Sequence, residues 1–285
     1  MNKIKVYFCD VWPEFNYENI FLPILQKHFD VEVTANNPDV IIHSIYNGFK
    51  ETPKYKCKKI LFLGENYRPS QFGSNYSISF DPHTDNNYHL PLWQVYLILR
   101  PELKDKLFNR INHESFDKFC SFTVSNGNNF FRNGFFDQLN AYKYVNSYGR
   151  FRTNDQGLQK ISHGGYWRDA KFTFFCNIKH KFSIAFENNS YPGYTTEKIM
   201  DAFLGASIPL YWGDPKIKED WNEKAFINVM KFYNKDLMEY IKFIDNDDNE
   251  FFKMYNEPIF IPEQRKKHLQ NIENFESWFI QKIKE

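Results

Sequence analysis

The residues best suited to chemistry lie in one loop in the second half of the chain. Residues 188–198 (NNSYPGYTTEK) place two asparagines, two tyrosines, Glu197 and Lys198 around a Pro-Gly turn. The ammonium of Lys198 can bind a phosphate, and the carboxylate of Glu197 can accept hydrogen bonds from ribose hydroxyls. A solvated helix lysine remains the alternative at position 198. Together these residue types favour a nucleotide site.

The segments around this loop predict the elements that position it. Residues 182–187 and 208–212 predict strands, and residues 195–206 predict a helix with apolar positions at helical spacing. In an open α/β sheet, ligands bind where the chain leaves a strand and enters a helix. The helix N-terminus there attracts phosphate. An ordinary structural βαβ unit is the alternative, and the polar loop argues against it.

Two more candidates follow predicted strands. Arg132 lies at the start of a predicted helix, residues 130–142, after the polar turn SNGNN. A guanidinium there can bind a phosphate through two hydrogen bonds, although an exposed arginine would show the same pattern. Glu65 follows an apolar segment and Gly64. It is a candidate general base, and a loop-surface glutamate is the alternative.

Composition restricts the partners and the compartment. The 36 basic and 35 acidic residues nearly balance, which argues against nucleic acid and membrane surfaces as partners. No apolar run is long enough for a transmembrane segment, and no signal peptide is evident. The cysteines are widely spaced and predict reduced thiols, hence a cytoplasmic location; they are Cys9, Cys57, Cys120 and Cys176.

The sequence does not favour a metal site. Asp245-Asn246-Asp247 resembles the Asp-x-Asp of metal-dependent transferases, but it lies in the acidic run 245–250, which predicts a solvated loop. The histidines, His163 among them, show no paired ligand spacing, and no Walker or nucleophile motif is present. We therefore expect no metal.

Alternating apolar and helical segments predict two α/β domains. Strands are predicted at residues 4–9, 31–34, 40–45, 59–63, 76–80 and 118–125. A charged segment without strong periodicity, residues 103–117, predicts the connection between the domains. We place the domains at residues 1–115 and 116–262, followed by a C-terminal helix at 263–285.

Residues 186–215 closely resemble the signature of the α-1,3-fucosyltransferases, glycosyltransferase family ten. The matching motifs are Phe-Glu-Asn at 186–188, Gly-Tyr-x-Thr-Glu-Lys at 193–198 and Ile-Pro-x-Tyr-Trp-Gly at 208–213. Further matches follow in order at 36–39, 64–66, 125–126 with Arg132, and 145–150. The resemblance covers nearly the whole chain, and it is to the soluble bacterial-type form of the family.

The resemblance implies a GT-B fold, with two Rossmann-like α/β domains facing across a cleft. The N-terminal domain would bind the acceptor and the second domain the nucleotide-sugar donor. Glu65 would be the general base, and Arg132 and Lys198 would hold the diphosphate. The residues implied to bind the nucleotide and its sugar are Asn188, Tyr194 and Glu197.

The implied reaction is inverting transfer of fucose from GDP-fucose to a hydroxyl of a glycan acceptor, with no cofactor beyond this co-substrate. A transferase of the same fold using a UDP-hexose is one alternative, and a non-catalytic sugar- or nucleotide-binding module is another. Two segments depart from the family pattern. Residues 87–91 (NYHLP) replace an Arg-Tyr-Leu-Arg-x-Pro-like run in the acceptor-side domain, and residues 147–150 (SYGR) replace Ser-Gly-Gly-Arg.

Overall fold

The computed structural model describes residues 1–12, 18–109, 113–161, 171, 174–175 and 177–285. Cys176 and His163 lie outside the described residues. Within this part of the chain, two compact units are present. The first unit comprises Met1–Pro101, Pro192–Tyr194 and Lys266–Glu285, and the second comprises Glu102–Tyr191 and Thr195–Arg265.

The first unit is built on a parallel sheet with the strand order β2-β1-β3-β4-β5-β6. At the centre of this sheet, residues 40–43 are buried throughout and residues 60–62 of the neighbouring strand are buried as well, as in parallel strands covered on both faces. The strands are β1 Asn2–Cys9, β2 Phe29–Val33, β3 Val40–His43, β4 Lys58–Phe62, β5 Tyr76–Ser79 and β6 Asn87–His89.

Helices cover the sheet of the first unit through aromatic contacts. They are α1 Glu18–Gln26, α2 Leu92–Leu99 and most of the C-terminal helix, α9 Pro262–Lys284. The Phe21 ring of α1 lies 5.5 Å from the Phe62 ring of β4 and 5.3 Å from the Phe279 ring of α9. Phe279 and Phe275, one turn earlier, are both buried, so this side of α9 is a packing face.

The second unit contains a parallel sheet with the order β11-β10-β9-β7-β8. Its core is formed largely by phenylalanine and branched aliphatic side chains from the strands and the covering helices. The strands are β7 Lys118–Phe122, β8 Val145–Ser147, β9 His180–Phe186, β10 Ile208–Trp212 and β11 Ile227–Asn228. The helices are α3 Pro101–Phe108, α4 Phe130–Tyr142, α5 Gly157–Ile161, α6 Lys198–Leu204, α7 Asn234–Asn246 and α8 Asp248–Tyr255.

The predicted α/β class is confirmed, but one local prediction was wrong. The charged segment 103–117, whose role as the connection stays a prediction, contains most of α3, and Leu103 and Leu107 of this helix are buried. The acidic run 245–250 is not a solvated loop, because it ends α7 and begins α8. The Asp245 side chain is fully buried, and the ammonium groups of Lys143 and Lys181 lie 2.9 and 3.3 Å from its carboxylate oxygens. Two cations allow this burial, and no local pattern reveals them.

Among the described residues, no helix has the length and apolar character needed to cross a membrane. The thiols of Cys9, Cys57 and Cys120 are not joined in disulfides.

Candidate functional site

Arg132 is held at the carboxyl edge of the second unit's sheet by the cap of α4. The Asn129 side chain accepts a hydrogen bond from the Arg132 N–H at 2.9 Å, which starts the helix after the polar turn. The guanidinium donates to the carbonyl oxygen of Asn126 at 2.6 Å and to Oδ1 of Asn188 at 3.1 Å. Arg132 is only 2% exposed, so the alternative that it is an ordinary surface arginine is excluded.

Asn188 directly follows β9 and joins two strand-end loops. Its side chain accepts from Arg132, and its carbonyl oxygen accepts from Nδ2 of Asn129 at 3.3 Å. Because β7 and β9 are neighbouring parallel strands, the loops that leave them meet at one edge of the sheet. The structure therefore brings together Arg132 and Asn188, which are 56 residues apart in sequence.

A buried carboxylate, Glu187, lies beside this pair. Its Oε1 accepts from the Thr196 N–H at 2.7 Å, and its Oε2 accepts from the Thr196 hydroxyl at 2.6 Å and from the Lys198 ammonium at 3.2 Å. Burial raises the pKa of Glu187 above its usual value, and the Lys198 charge acts in the opposite direction. Sequence reasoning assigned Glu187 no role, although a carboxylate directly after a buried strand is an available signal.

Lys198 and Glu197 lie at the start of α6. The Lys198 ammonium also donates to the Thr196 hydroxyl at 2.9 Å, and it lies 3.9 Å from Oε1 of Glu197. The side chains of Lys198 and Glu197 are 22% and 18% exposed. Lys198 is thus a mostly buried, paired cation rather than a solvated helix lysine.

Buried polar groups of β10 and of the turn after it lie close to Glu187. The Tyr211 hydroxyl accepts from the Asp214 N–H at 3.0 Å, and Thr195 donates to the Asp214 carboxylate at 3.3 Å. Burial, followed by the Glu187 charge, raises the pKa of Tyr211 well above its usual value, so this phenol stays neutral. The loop is therefore fixed from β9 and from β10.

Gly213 leaves the space that Glu187 occupies. A Cβ at position 213 would lie 2.4 Å from Cγ of Glu187 and 2.9 Å from the Tyr211 hydroxyl oxygen. We expect Gly213→Ala to lower the free energy of unfolding by about 1–3 kcal/mol through overpacking, measured as a shift of the urea midpoint. Gly134→Ala is the matched control: it lies in α4 with open space around its Cβ, and it should gain up to about 1 kcal/mol. Equal midpoints for the two variants would contradict the expectation.

The Pro-Gly turn and Tyr194 belong to the first unit. Gly193 has a φ of +85°, and a Cβ there would lie 2.4 Å from the carbonyl oxygen of Phe80. The Tyr194 ring is fully buried and meets the Phe80 ring edge-on at 4.8 Å. Glycine is required at 193 both by the left-handed backbone and by this close approach.

Glu65 lies just after β4, at the carboxyl edge of the first unit's sheet. Its Oε1 accepts a hydrogen bond from the Tyr46 hydroxyl at 3.4 Å, and its side chain is partly exposed. Burial and the Glu65 carboxylate raise the pKa of Tyr46, so this group stays a donor. A Cβ at Gly64 would lie 2.7 Å from the Trp12 ring, which explains the glycine before Glu65.

Arg68 holds the loop that follows Glu65. Its guanidinium donates to the side-chain oxygens of Asn66 and Asp81. Sequence reasoning did not single out Arg68, because its partner Asp81 lies beyond the next strand. The carboxylate of Glu65 therefore stands on a loop that is fixed at both ends.

Across the described residues, no group of three or more His, Cys, Asp and Glu side chains is placed to hold a metal ion. The expectation that the reaction needs no metal stays a prediction. At this edge of the second unit, Arg132 and Lys198 contribute positive charge.

Two models of known protein families match this chain, one in its N-terminal part and one in its C-terminal part. A family model described as "Alpha-(1,3)-fucosyltransferase FucT N-terminal domain" matches residues 6–96. A second, described as "Glycosyltransferase family 10 (fucosyltransferase) C-term", matches residues 114–269, more than half of the chain.

Individual relatives agree with these models. The chain is 31% identical over 251 residues to "Alpha-(1,3)-fucosyltransferase FucT" of Helicobacter pylori, which covers 76% of this chain and 50% of the relative. It is 28% identical over 218 residues to "GDP-fucose protein O-fucosyltransferase 3" of Xenopus laevis, with coverage of 72% and 43%. The chain thus spans half or less of the length of these relatives.

A solved structure confirms the fold. "Crystal Structure of alpha1,3-Fucosyltransferase with GDP-fucose" superposes with a TM-score of 0.73 at 24% identity, covering 100% of this chain and 92% of that chain. This similarity confirms the GT-B fold predicted from sequence. The family models and the relatives that match this chain together show that it belongs to glycosyltransferase family ten, the fucosyltransferase family.

Proposed function

We propose that this protein transfers fucose from GDP-fucose to a hydroxyl group of a glycan or glycoconjugate acceptor, with inversion at the anomeric carbon. The observation that carries the proposal is the pair of mostly buried cations, Arg132 and Lys198, each in the first turn of a helix that follows a strand-end loop of the second unit. Membership of family ten and the GDP-fucose named for a structural neighbour support the donor.

Arg132 and Lys198 bind the diphosphate of the donor in this proposal. When the bond to the sugar breaks, negative charge develops on the departing diphosphate, and positioned cations stabilise it. Asn188 orients the Arg132 guanidinium, with which it shares a 3.1 Å hydrogen bond. Glu197 contacts the nucleotide and its sugar, whereas Tyr194, for which the resemblance implied the same role, is fully buried on Phe80 and is not available for such a contact. These cations take the place of a metal, so the reaction needs none.

Glu65 acts as the general base. The acceptor oxygen attacks the anomeric carbon on the face opposite the diphosphate, its O–H proton passes to the Glu65 carboxylate, and GDP leaves with the electrons of the broken bond. Single displacement of this kind inverts the configuration. The hydrogen bond from Tyr46 holds the carboxylate in one orientation while leaving it partly exposed to accept the proton.

The nucleotide preference tests the donor. We expect GDP to raise the melting temperature more than UDP at equal concentration, because GDP is the nucleotide of the proposed donor. At a hundred times its dissociation constant, a ligand adds about 2.7 kcal/mol, which corresponds to a shift of roughly 5 °C or more. The measurement is thermal unfolding followed by fluorescence.

The same preparations distinguish the alternatives. Stabilisation by UDP and not by GDP would indicate a transferase of the same fold with another donor. Tight binding of GDP-fucose, without GDP release in the presence of a panel of glycans, would indicate a binding module. Release of GDP together with a fucosylated product supports the proposal.

A further inference from the structure

Glu187 and Lys198 form an ion pair at the start of α6. Glu187 is completely buried, whereas the Lys198 side chain is 22% exposed. Their charged atoms lie 3.2 Å apart. A carboxylate without contact to water depends on its counter-ion, because the desolvation of an isolated charge costs several kcal/mol.

The other charged and titratable groups around Glu187 do not replace this counter-ion. From α6, Glu197 adds a second negative charge. From β10 and the turn after it come the neutral Tyr211 phenol and the Asp214 carboxyl group. From α4, the Arg132 guanidinium is directed at Asn188 and at main-chain oxygens. Lys198 therefore supplies the positive charge that contacts Glu187.

This inference rests on the proposed function, in which Lys198 contacts the diphosphate. We propose that Glu187 and the nucleotide diphosphate compete for the Lys198 ammonium, so that Glu187 takes up one proton from solvent when GDP binds and returns it when GDP leaves. The diphosphate draws the ammonium charge away and adds negative charge of its own, and both changes favour the neutral carboxyl group. The protonated Oε2 then donates to the Thr196 hydroxyl oxygen, and Oε1 still accepts from the Thr196 N–H.

Competition of this kind makes Glu187 a positioning residue that also weakens nucleotide binding. Its carboxyl pKa is higher with GDP bound than without, so affinity for GDP is greatest below the pKa of the free protein and falls as the pH rises through the pKa of the complex. For each unit by which the two pKa values differ, the affinity for GDP is tenfold lower at a pH above both values than at a pH below both.

Glu187→Gln tests the proposal, because glutamine has the shape and hydrogen bonds of the protonated carboxyl group. GDP binding is measured by titration calorimetry between about pH 5 and pH 8 in buffers of different ionisation enthalpy, which gives the number of protons taken up. We expect proton uptake in the parent protein and its loss in Glu187→Gln, together with about tenfold tighter GDP binding at the upper end of this range. Glu239→Gln removes an exposed carboxylate, 74% accessible, and should match the parent.

Lys198→Met provides a second test that does not depend on the folding of Glu187→Gln. Without its counter-ion, Glu187 is already neutral in the free protein, so GDP should bind more weakly and without proton uptake. Uptake that persists in Glu187→Gln, or that is absent in the parent, would overturn the proposal. Failure of GDP to bind the parent at all would refute the proposed function as well, whereas binding without uptake refutes this inference alone.

Discussion

Glu65→Gln is expected to lower the rate of fucosyl transfer about a hundredfold to ten-thousandfold, the usual contribution of a general base. Glutamine keeps the side-chain shape and can still accept the 3.4 Å hydrogen bond from Tyr46, but it cannot take a proton from the acceptor hydroxyl. Donor affinity should stay nearly unchanged, because the loss concerns proton transfer. Single-turnover rates with saturating GDP-fucose, combined with calorimetric donor binding, separate these two quantities.

Glu32→Gln is a suitable control for this experiment. Glu32 is an exposed carboxylate on β2 of the same unit, so its removal changes the net charge by the same amount. We expect it to retain the parent rate. Near-normal turnover by Glu65→Gln would remove Glu65 from the proposed mechanism and leave the rest of the site in place.

Arg132→Ala is expected to weaken both nucleotide binding and the fold. A charge-assisted hydrogen bond contributes about 1.5–3 kcal/mol, so GDP affinity should fall about tenfold to a hundredfold. The oxygens of Asn126 and Asn188 would each lose a hydrogen bond from the guanidinium, and because both residues are exposed, water can replace it, so each loss should cost the fold no more than about 0.5–1.5 kcal/mol. Calorimetry with GDP and urea unfolding measure the two effects.

Conservative replacement of Arg132 sharpens this test. Arg132→Lys should recover little affinity, because an ammonium cannot reproduce the planar fork that contacts Asn126 and Asn188 together. Arg152→Lys is the control, since Arg152 is an exposed arginine whose guanidinium pairs with Asp137 on α4. GDP affinity in Arg132→Ala equal to that of the parent would place the diphosphate elsewhere.

The parts of the fold with strong local signals could be predicted from sequence. The helix at 130–142 was predicted at its observed bounds, because a capping asparagine and a polar turn mark its start. The strand at 208–212 was also predicted in full, since an apolar run ends at Gly-Asp-Pro. The short strands β6 and β8 were not predicted, because a strand of three residues is too brief to show periodicity.

The candidate site residues can be named from sequence, and their roles stay a prediction, but their contacts cannot be read from sequence. The residue types and the strand-end positions of Arg132 and Asn188 are visible in sequence, whereas their hydrogen bond depends on β7 lying next to β9. Glu187 was overlooked because its importance comes from burial against Thr196 and Lys198. The prediction of a solvated loop at residue 245 was wrong for a related reason. The two lysines that neutralise the buried Asp245 carboxylate lie about 60 and 100 residues away in sequence.

The division of the chain at residues 192–194 has a consequence for chimeric enzymes. These residues interrupt the second unit in sequence but belong to the first, where Tyr194 is buried on Phe80 and Gly193 closely approaches the Phe80 carbonyl. An exchange of the first unit between two family members at a single crossover point would therefore separate Tyr194 from its own packing surface. A well-packed chimera must carry three separate segments from one parent: the first hundred residues, the Pro-Gly-Tyr tripeptide and the last twenty residues.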